Sequence, residues 1–158
     1  MKEILSSYTI SKRTAALVPV KHPDSLTLVI EIDTMFYVTK SPLTLIKEGC
    51  LQGYSSYEGR LESVKYYTGY QRKVPIPINP KQNIFAFPSL SPDAFECSWL
   101  FPAHIKSISP AKSEDMTIQS LVTLKNGKTI YMSESSAVLK KQMQRTAYFS
   151  MMYFADSV

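Results

Sequence analysis

Residues 118–132 read IQSLVTLKNGKTIYM, two runs rich in β-branched and apolar residues joined through Asn126-Gly127. A period of two sends successive side chains to opposite faces of a strand. Asn-Gly accepts the positive backbone angles of tight hairpin turns, so Ile118–Leu124 and Thr129–Met132 predict an antiparallel hairpin. Lys125 and Lys128 flank that turn and carry two positive charges to its tip.

Upstream of the hairpin, Ile84–Phe87 and Trp99–Ile108 are further strand candidates, separated by turns at Pro88 and Pro92. Lys73-Val-Pro-Ile-Pro-Ile-Asn-Pro80 cannot be a central strand, because its prolines lack ladder donors; it predicts an edge strand or an extended arm. Near the N-terminus, Tyr8–Ile10, Ala15–Val20, Leu26–Ile32 and Met35–Val38 are rich in β-formers. Two short helices come next. Ser41-Pro42 supplies an N-cap and a proline at the first helical position, with Leu43, Ile46 and Cys50 turned inward and a stop before Gly53. Ser55 and Glu58 have the spacing of a capping box, Tyr57, Leu61 and Val64 share one face, and Gly69 is the stop. Arg60 and Lys65 fall off that face, toward solvent.

The last element is a helix over about 136–154. Leu139, Met143, Ala147, Met151 and Phe154 predict its buried stripe. Lys141, Arg145 and Tyr148 recur on another face with Lys140 and Gln144 beside them. Such a face suits phosphates, or is the solvated side of the helix. Together these elements predict one α+β domain over residues 1–158. It has a mainly antiparallel sheet, two short helices after the N-terminal strands and a C-terminal amphipathic helix.

Composition narrows the function class. Apolar residues make up 44% and charged residues 20% of the 158, as in ordinary globular chains. No apolar run reaches a membrane-spanning length and the start lacks a signal-peptide pattern, so a cytoplasmic protein is expected. Cys50 and Cys97 are far apart, and neither they nor His22 and His104 show metal-ligand spacing. No basic neighbour activates either thiol, His104 reads as a hydrogen-bonded core residue, and Glu114-Asp115 read as solvated acids. Phosphate-binding glycine loops are missing. The expectation is no enzyme, no metal, no cofactor and no small-molecule substrate.

Charge is the positive signal. The net charge is +5, yet residues 1–59 hold 6 basic and 6 acidic side chains and are neutral. The excess lies in Arg60, Lys65, Arg72, Lys73 and Lys81 against Glu62, and in Lys125, Lys128, Lys140, Lys141 and Arg145 against Glu134. Clustered cations raise the local potential and favour a polyanion, or serve solubility alone. Tyr66, Tyr67 and Tyr70 interleave with Lys65, Arg72 and Lys73, a mixture suited to bases and phosphates.

FYVTKSPL (36–43), GYSSYEGR (53–60), KVPIPINPKQNIFAFPSLSPDAFECSWL (73–100), LKNGKTIYM (124–132) and QMQRTAYF (142–149) resemble, in order, the ComK-type competence factors of Gram-positive bacteria. Asn79–Trp99 and Gln144-Arg145-Thr146-Ala147 are the most specific pieces. The resemblance implies a transcriptional activator of DNA-uptake genes that binds paired A/T-rich boxes of double-stranded DNA, largely through the minor groove. It implies dimers that assemble into tetramers. A narrow A-tract groove attracts Arg and Lys without a recognition helix, which suits a chain with no helix-turn-helix pattern. The resemblance offers no residue motif for DNA contact. The candidate contacts, Arg60, Lys65, Arg72, Lys73, Lys125, Lys128, Lys140, Lys141 and Arg145, therefore come from local charge. Longer members of that family carry a polar tail after the last helix, linked to activation and to a proteolytic adaptor, whereas this sequence stops at Asp156-Ser157-Val158. The alternative reading is accordingly a protein–protein module that modulates a full-length relative.

Overall fold

The apolar runs near the N-terminus become the middle of a sheet covered on both faces. A computed structural model describes residues 4–156. The ends of the predicted domain, residues 1–3 and 157–158, lie outside the described residues. Strands β1 (Ile4–Leu5), β2 (Thr14–His22), β3 (Ser25–Glu31) and β4 (Met35–Val38) precede helices α1 (Pro42–Gln52) and α2 (Tyr57–Thr68). Then come β5 (Ile76–Asn79), β6 (Ile84–Pro88), β7 (Trp99–Leu100), β8 (Ile105–Pro110), β9 (Ser120–Leu124), β10 (Thr129–Met132) and α3 (Ser136–Asp156).

A seven-stranded sheet has the order β1-β4-β3-β2-β7-β6-β5, and a three-stranded sheet the order β10-β9-β8. The β1–β4 pair is parallel and the other pairs are antiparallel, so the α+β, mainly antiparallel expectation holds. The pleat sends neighbours in sequence into different cores. Leu17, Val29, Ala86 and Trp99 pack beneath Leu45, Ile46 and Cys50 of α1 and Tyr57 of α2. Ala16, Ile30, Phe87 and Leu100 pack on the other side against Val122, Leu124, Ile130 and, from α3, Leu139. Each fully buried large apolar side chain contributes roughly 1.5–3 kcal/mol, so the double-sided strands hold much of the stability. A third cluster, Val64, Val74, Phe85 and Phe149, joins α2 and α3 over β6.

Local chemistry explains the matches and the corrections. Ser41 caps α1 by accepting from the Thr44 amide, and Pro42 opens the helix as predicted. The cap of α2 is Ser56, one residue later than predicted, accepting from the Gly59 amide at 2.9 Å. Gly69 ends α2 in the left-handed region (φ 77°). The proline stretch is indeed an edge, since β5 pairs only with β6.

Residues 8–10 do not form a strand. The Tyr8 hydroxyl donates to Glu31 at 2.6 Å and Ile10 plugs the first core, so side-chain burial replaces ladder pairing there. The predicted strand Trp99–Ile108 breaks at Pro102, which lacks a donor and opens a single 3-10 turn over Pro102–His104. The chain thereby leaves the large sheet as β7 and enters the small one as β8. The hairpin loop has three residues. The Gly127 amide donates to the Leu124 carbonyl at 3.0 Å, and Gly127 takes the left-handed position (φ 90°).

Candidate nucleic-acid interface

The segment between α2 and β5 is tied to α3 by two side chains. Lys73 adopts a left-handed backbone (φ 48°), a strained choice for a residue with a Cβ. Its carbonyl accepts from Gln142 Nε2 at 2.8 Å and from Arg145 Nη1 at 3.3 Å. Gln142, 2% exposed, also donates to the Pro88 carbonyl at 2.9 Å, and its Oε1 accepts from Arg145. Arg145 Nη2 donates to the Arg72 carbonyl at 3.0 Å, while its guanidinium sits over the Tyr70 ring. Partial burial draws the Arg145 guanidinium below its ordinary value, against a smaller opposing influence from Tyr70. The guanidinium keeps its charge throughout the physiological range.

This clamp frames an open groove of about 840 Å³ lined by Tyr70, Arg72, Lys73, Lys141, Arg145 and Tyr148, with no carboxylate in its walls. Among the described residues, none of the nine candidate basic side chains is held in an ion pair. The ion pairs join Arg13 to Glu31 and Asp33, and Lys40 to Glu48. Arg72 and Lys141 are exposed, Lys73 and Arg145 half-buried. The groove therefore presents concentrated positive charge, outside any ion pair, alongside Tyr70 and Tyr148, a chemistry suited to phosphates and stacked planar groups.

The other candidates lie elsewhere. Arg60, expected on the solvent side of α2, is half-buried. It donates to the Gly53 carbonyl at 2.8 Å, its Nε is buried with no protein partner, and it lines a different pocket with Tyr67 and Phe149. The carbonyl left free at the end of α1 draws it inward. Lys65 is half-exposed on α2 and Lys140 is exposed on α3, neither lining the groove. Lys125 and Lys128 stand at the hairpin tip as predicted. That tip is anchored, because Asn126 Nδ2 donates to the Glu31 carbonyl at 3.1 Å and the Lys125 amide donates to the His104 carbonyl at 2.9 Å.

The stripe on α3 also differs from expectation. Leu139, Gln142, Thr146 and Phe149 face inward, Met143 is half-buried, and Ala147 and Met151 are exposed. A strict i+4 series walks about 40° round the helix at each step, so it leaves the core after two turns. Gln142 takes an inward place because two backbone carbonyls satisfy it. The sequence signal available was a polar residue three positions before Arg145, on the apolar side of the helix.

The thiols offer little reactivity. Burial pushes Cys50 up to about 11 and raises Cys97 as well. His104 is half-exposed rather than core, and its Nε2 donates to the Lys12 carbonyl at 2.7 Å. Among the described residues, no group of three or more His, Cys, Asp or Glu side chains could hold a metal ion. No described helix is long and apolar enough to cross a membrane.

Comparison with known proteins places the chain in a family. The chain is 32% identical over 145 residues to the competence transcription factor of Bacillus subtilis (strain 168), covering 91% of this chain and 73% of that protein. No solved structure matches it. The ComK protein family matches residues 5–156, and the chain belongs to that family.

Proposed function

We propose that the chain is a transcription factor that binds A/T-rich double-stranded DNA through the groove between α3 and the 70–73 segment, to activate competence and DNA-uptake genes. The observation that carries this reading is the groove wall itself: four cations and two tyrosines with no carboxylate. Arg72, Lys73 and Lys141 contact backbone phosphates, each displacing condensed counterions. Arg145, fixed by two carbonyls and Tyr70, orients the others and offers its remaining face to the duplex. A/T preference follows from the narrow, electronegative minor groove of A-tracts, which draws Arg and Lys without base-specific hydrogen bonds. The protein works in the bacterial cytoplasm, as one domain and as a homo-oligomer on paired boxes.

A gel-shift series on duplexes of graded A/T content, repeated over a range of salt, tests the reading. Tighter binding to A/T-rich duplex is expected, competed by a minor-groove drug. The logarithm of affinity should fall with that of salt at a slope of about −0.9 per phosphate contact. Equal affinity for A/T- and G/C-rich duplex at every salt concentration would sink it.

A further inference from the structure

The two sheets end differently. The large sheet ends at β5, whose flank and length carry Pro75, Pro77 and Pro80, and at β1, which spans two residues. Prolines and very short strands are ordinary guards against further pairing. In the small sheet, β10 is an edge with no proline, and Thr129 and Tyr131 on it are exposed.

The hydrogen-bond parity of that edge is fixed. The Leu124 amide donates to the Lys128 carbonyl at 2.8 Å, so Lys128 turns its carbonyl toward β9, while its amide donates to Asn126 Oδ1 within the turn. With regular pairing from Thr129↔Thr123 to Met132↔Ser120, Ile130 and Met132 turn their backbone groups toward β9. The amides and carbonyls of Thr129 and Tyr131 therefore point outward from the sheet. A strand docking there must meet those groups.

We infer that β10 pairs antiparallel with β10 of a second copy, about a two-fold axis at Tyr131. Two identical antiparallel strands match inward and outward groups only when the axis falls on a residue, which leaves few registers. An axis on Lys128 sets lysine against lysine. An axis on Thr129 or Ile130 sets Lys128 against Ile130 or Met132. The axis on Tyr131 sets Lys128 against Glu134, and by symmetry does so twice. It also makes Tyr131 a hydrogen-bonding pair with its own copy. Lys128 and Glu134 lie just beyond the two ends of β10, in the hairpin turn and in the bend before α3, so the opposite charges meet at the ends of the joined strands rather than inside the ladder. Glu134 lines an open groove of about 310 Å³ beside this end of β10, together with Glu96, Lys21 and Phe95, which leaves space for the second hairpin tip. The inference deepens the homo-oligomer part of the function proposed above and stands apart from its DNA part. It assigns Lys128 to the contact between copies rather than to DNA.

The full chain in solution without DNA provides the test. Under mild oxidation Tyr131→Cys should form a covalent dimer, because directly opposed hydrogen-bonded residues lie about 5.5 Å apart at Cα, within disulfide reach. Thr129→Cys should not link to itself but should link to Ser133→Cys when the two variants are mixed. The parent chain, whose Cys50 and Cys97 are buried, is the background. By sedimentation, Lys128→Glu and Glu134→Lys should each weaken self-association about tenfold, and the double exchange should restore it. A chain that stays monomeric, as it would if another protein occupied this edge, overturns the inference. So does Thr129→Cys linking to itself as readily as Tyr131→Cys, or a double exchange without rescue. Each of these can occur with A/T-selective binding intact, and selectivity can fail with the dimer intact.

Discussion

The Arg145 guanidinium lies 4.2 Å from the centroid of the Tyr70 ring. The same side chain donates to the carbonyls of Arg72 and Lys73. One cation thus joins α3 to the segment after α2 while standing in the groove proposed to meet DNA.

Replacing Arg145 should therefore affect fold and binding together. Arg145→Ala removes three charge-assisted hydrogen bonds, to the Arg72 and Lys73 carbonyls and to Gln142 Oε1, and the ring contact, at a cost of about 2 kcal/mol in urea denaturation. Arg145→Lys keeps the charge but loses the planar fork, so much of that loss should remain. Both variants should also bind A/T-rich duplex more weakly.

Gln142→Leu isolates the support from the charge. Leucine fits an apolar stripe but leaves the Lys73 and Pro88 carbonyls short of a donor, which costs about 2–3 kcal/mol. Net charge is unchanged, so the salt slope of DNA binding should persist. Increased amide exchange across residues 70–73 would report the loosened segment.

Arg72→Ala and Lys141→Ala behave in the opposite way. Both side chains are exposed and outside any ion pair, so stability should stay within about 0.5 kcal/mol of the parent. Each change should lower affinity for every duplex and reduce the salt slope by about 0.9. Lys140→Ala, on α3 but outside the groove, is the matched control; an equal loss there would move the interface.

Alkaline pH should weaken the fold through groups that are buried neutral. Desolvation raises Cys50 from 9.0 to about 11 and Tyr57 from 10.0 to about 12. A folded-state value above the unfolded one means that the folded chain holds the proton more tightly. The Cys50 contribution is complete below about pH 9 and is lost as pH rises through 11; that of Tyr57 is lost between 10 and 12. Denaturant midpoints should be level up to about pH 9 and then fall. Cys50→Ala should lower the slope between pH 9 and 11 by up to one proton, about 1.4 kcal/mol per pH unit.

Much of the fold was legible because its signals are local. The Asn126-Gly127 hairpin, the Ser41-Pro42 helix start and the proline-guarded edge each depend on residues within one turn or strand. Strand partnership was not legible, since β2 meets β7 by packing on both faces and neither run names the other. The break at Pro102 was hidden inside an apolar stretch that reads as continuous. In the groove, Arg72, Lys73, Lys141 and Arg145 were visible as charges. Their convergence depends on Gln142, whose type suggests a solvated position until its carbonyl partners are known.

The pairing of Ala16 with Leu100 and of Leu17 with Trp99 makes the middle of the large sheet a seam between distant parts of the chain. During synthesis, β2 to β4 and the two helices emerge long before residue 99. Until then β2 keeps an apolar free edge that no nearby strand can cover. Because β7 adds only two residues to that edge, closure comes late and carries a large loop-entropy cost. Refolding should be slow for a chain of this length, and fragments ending before Trp99 should aggregate.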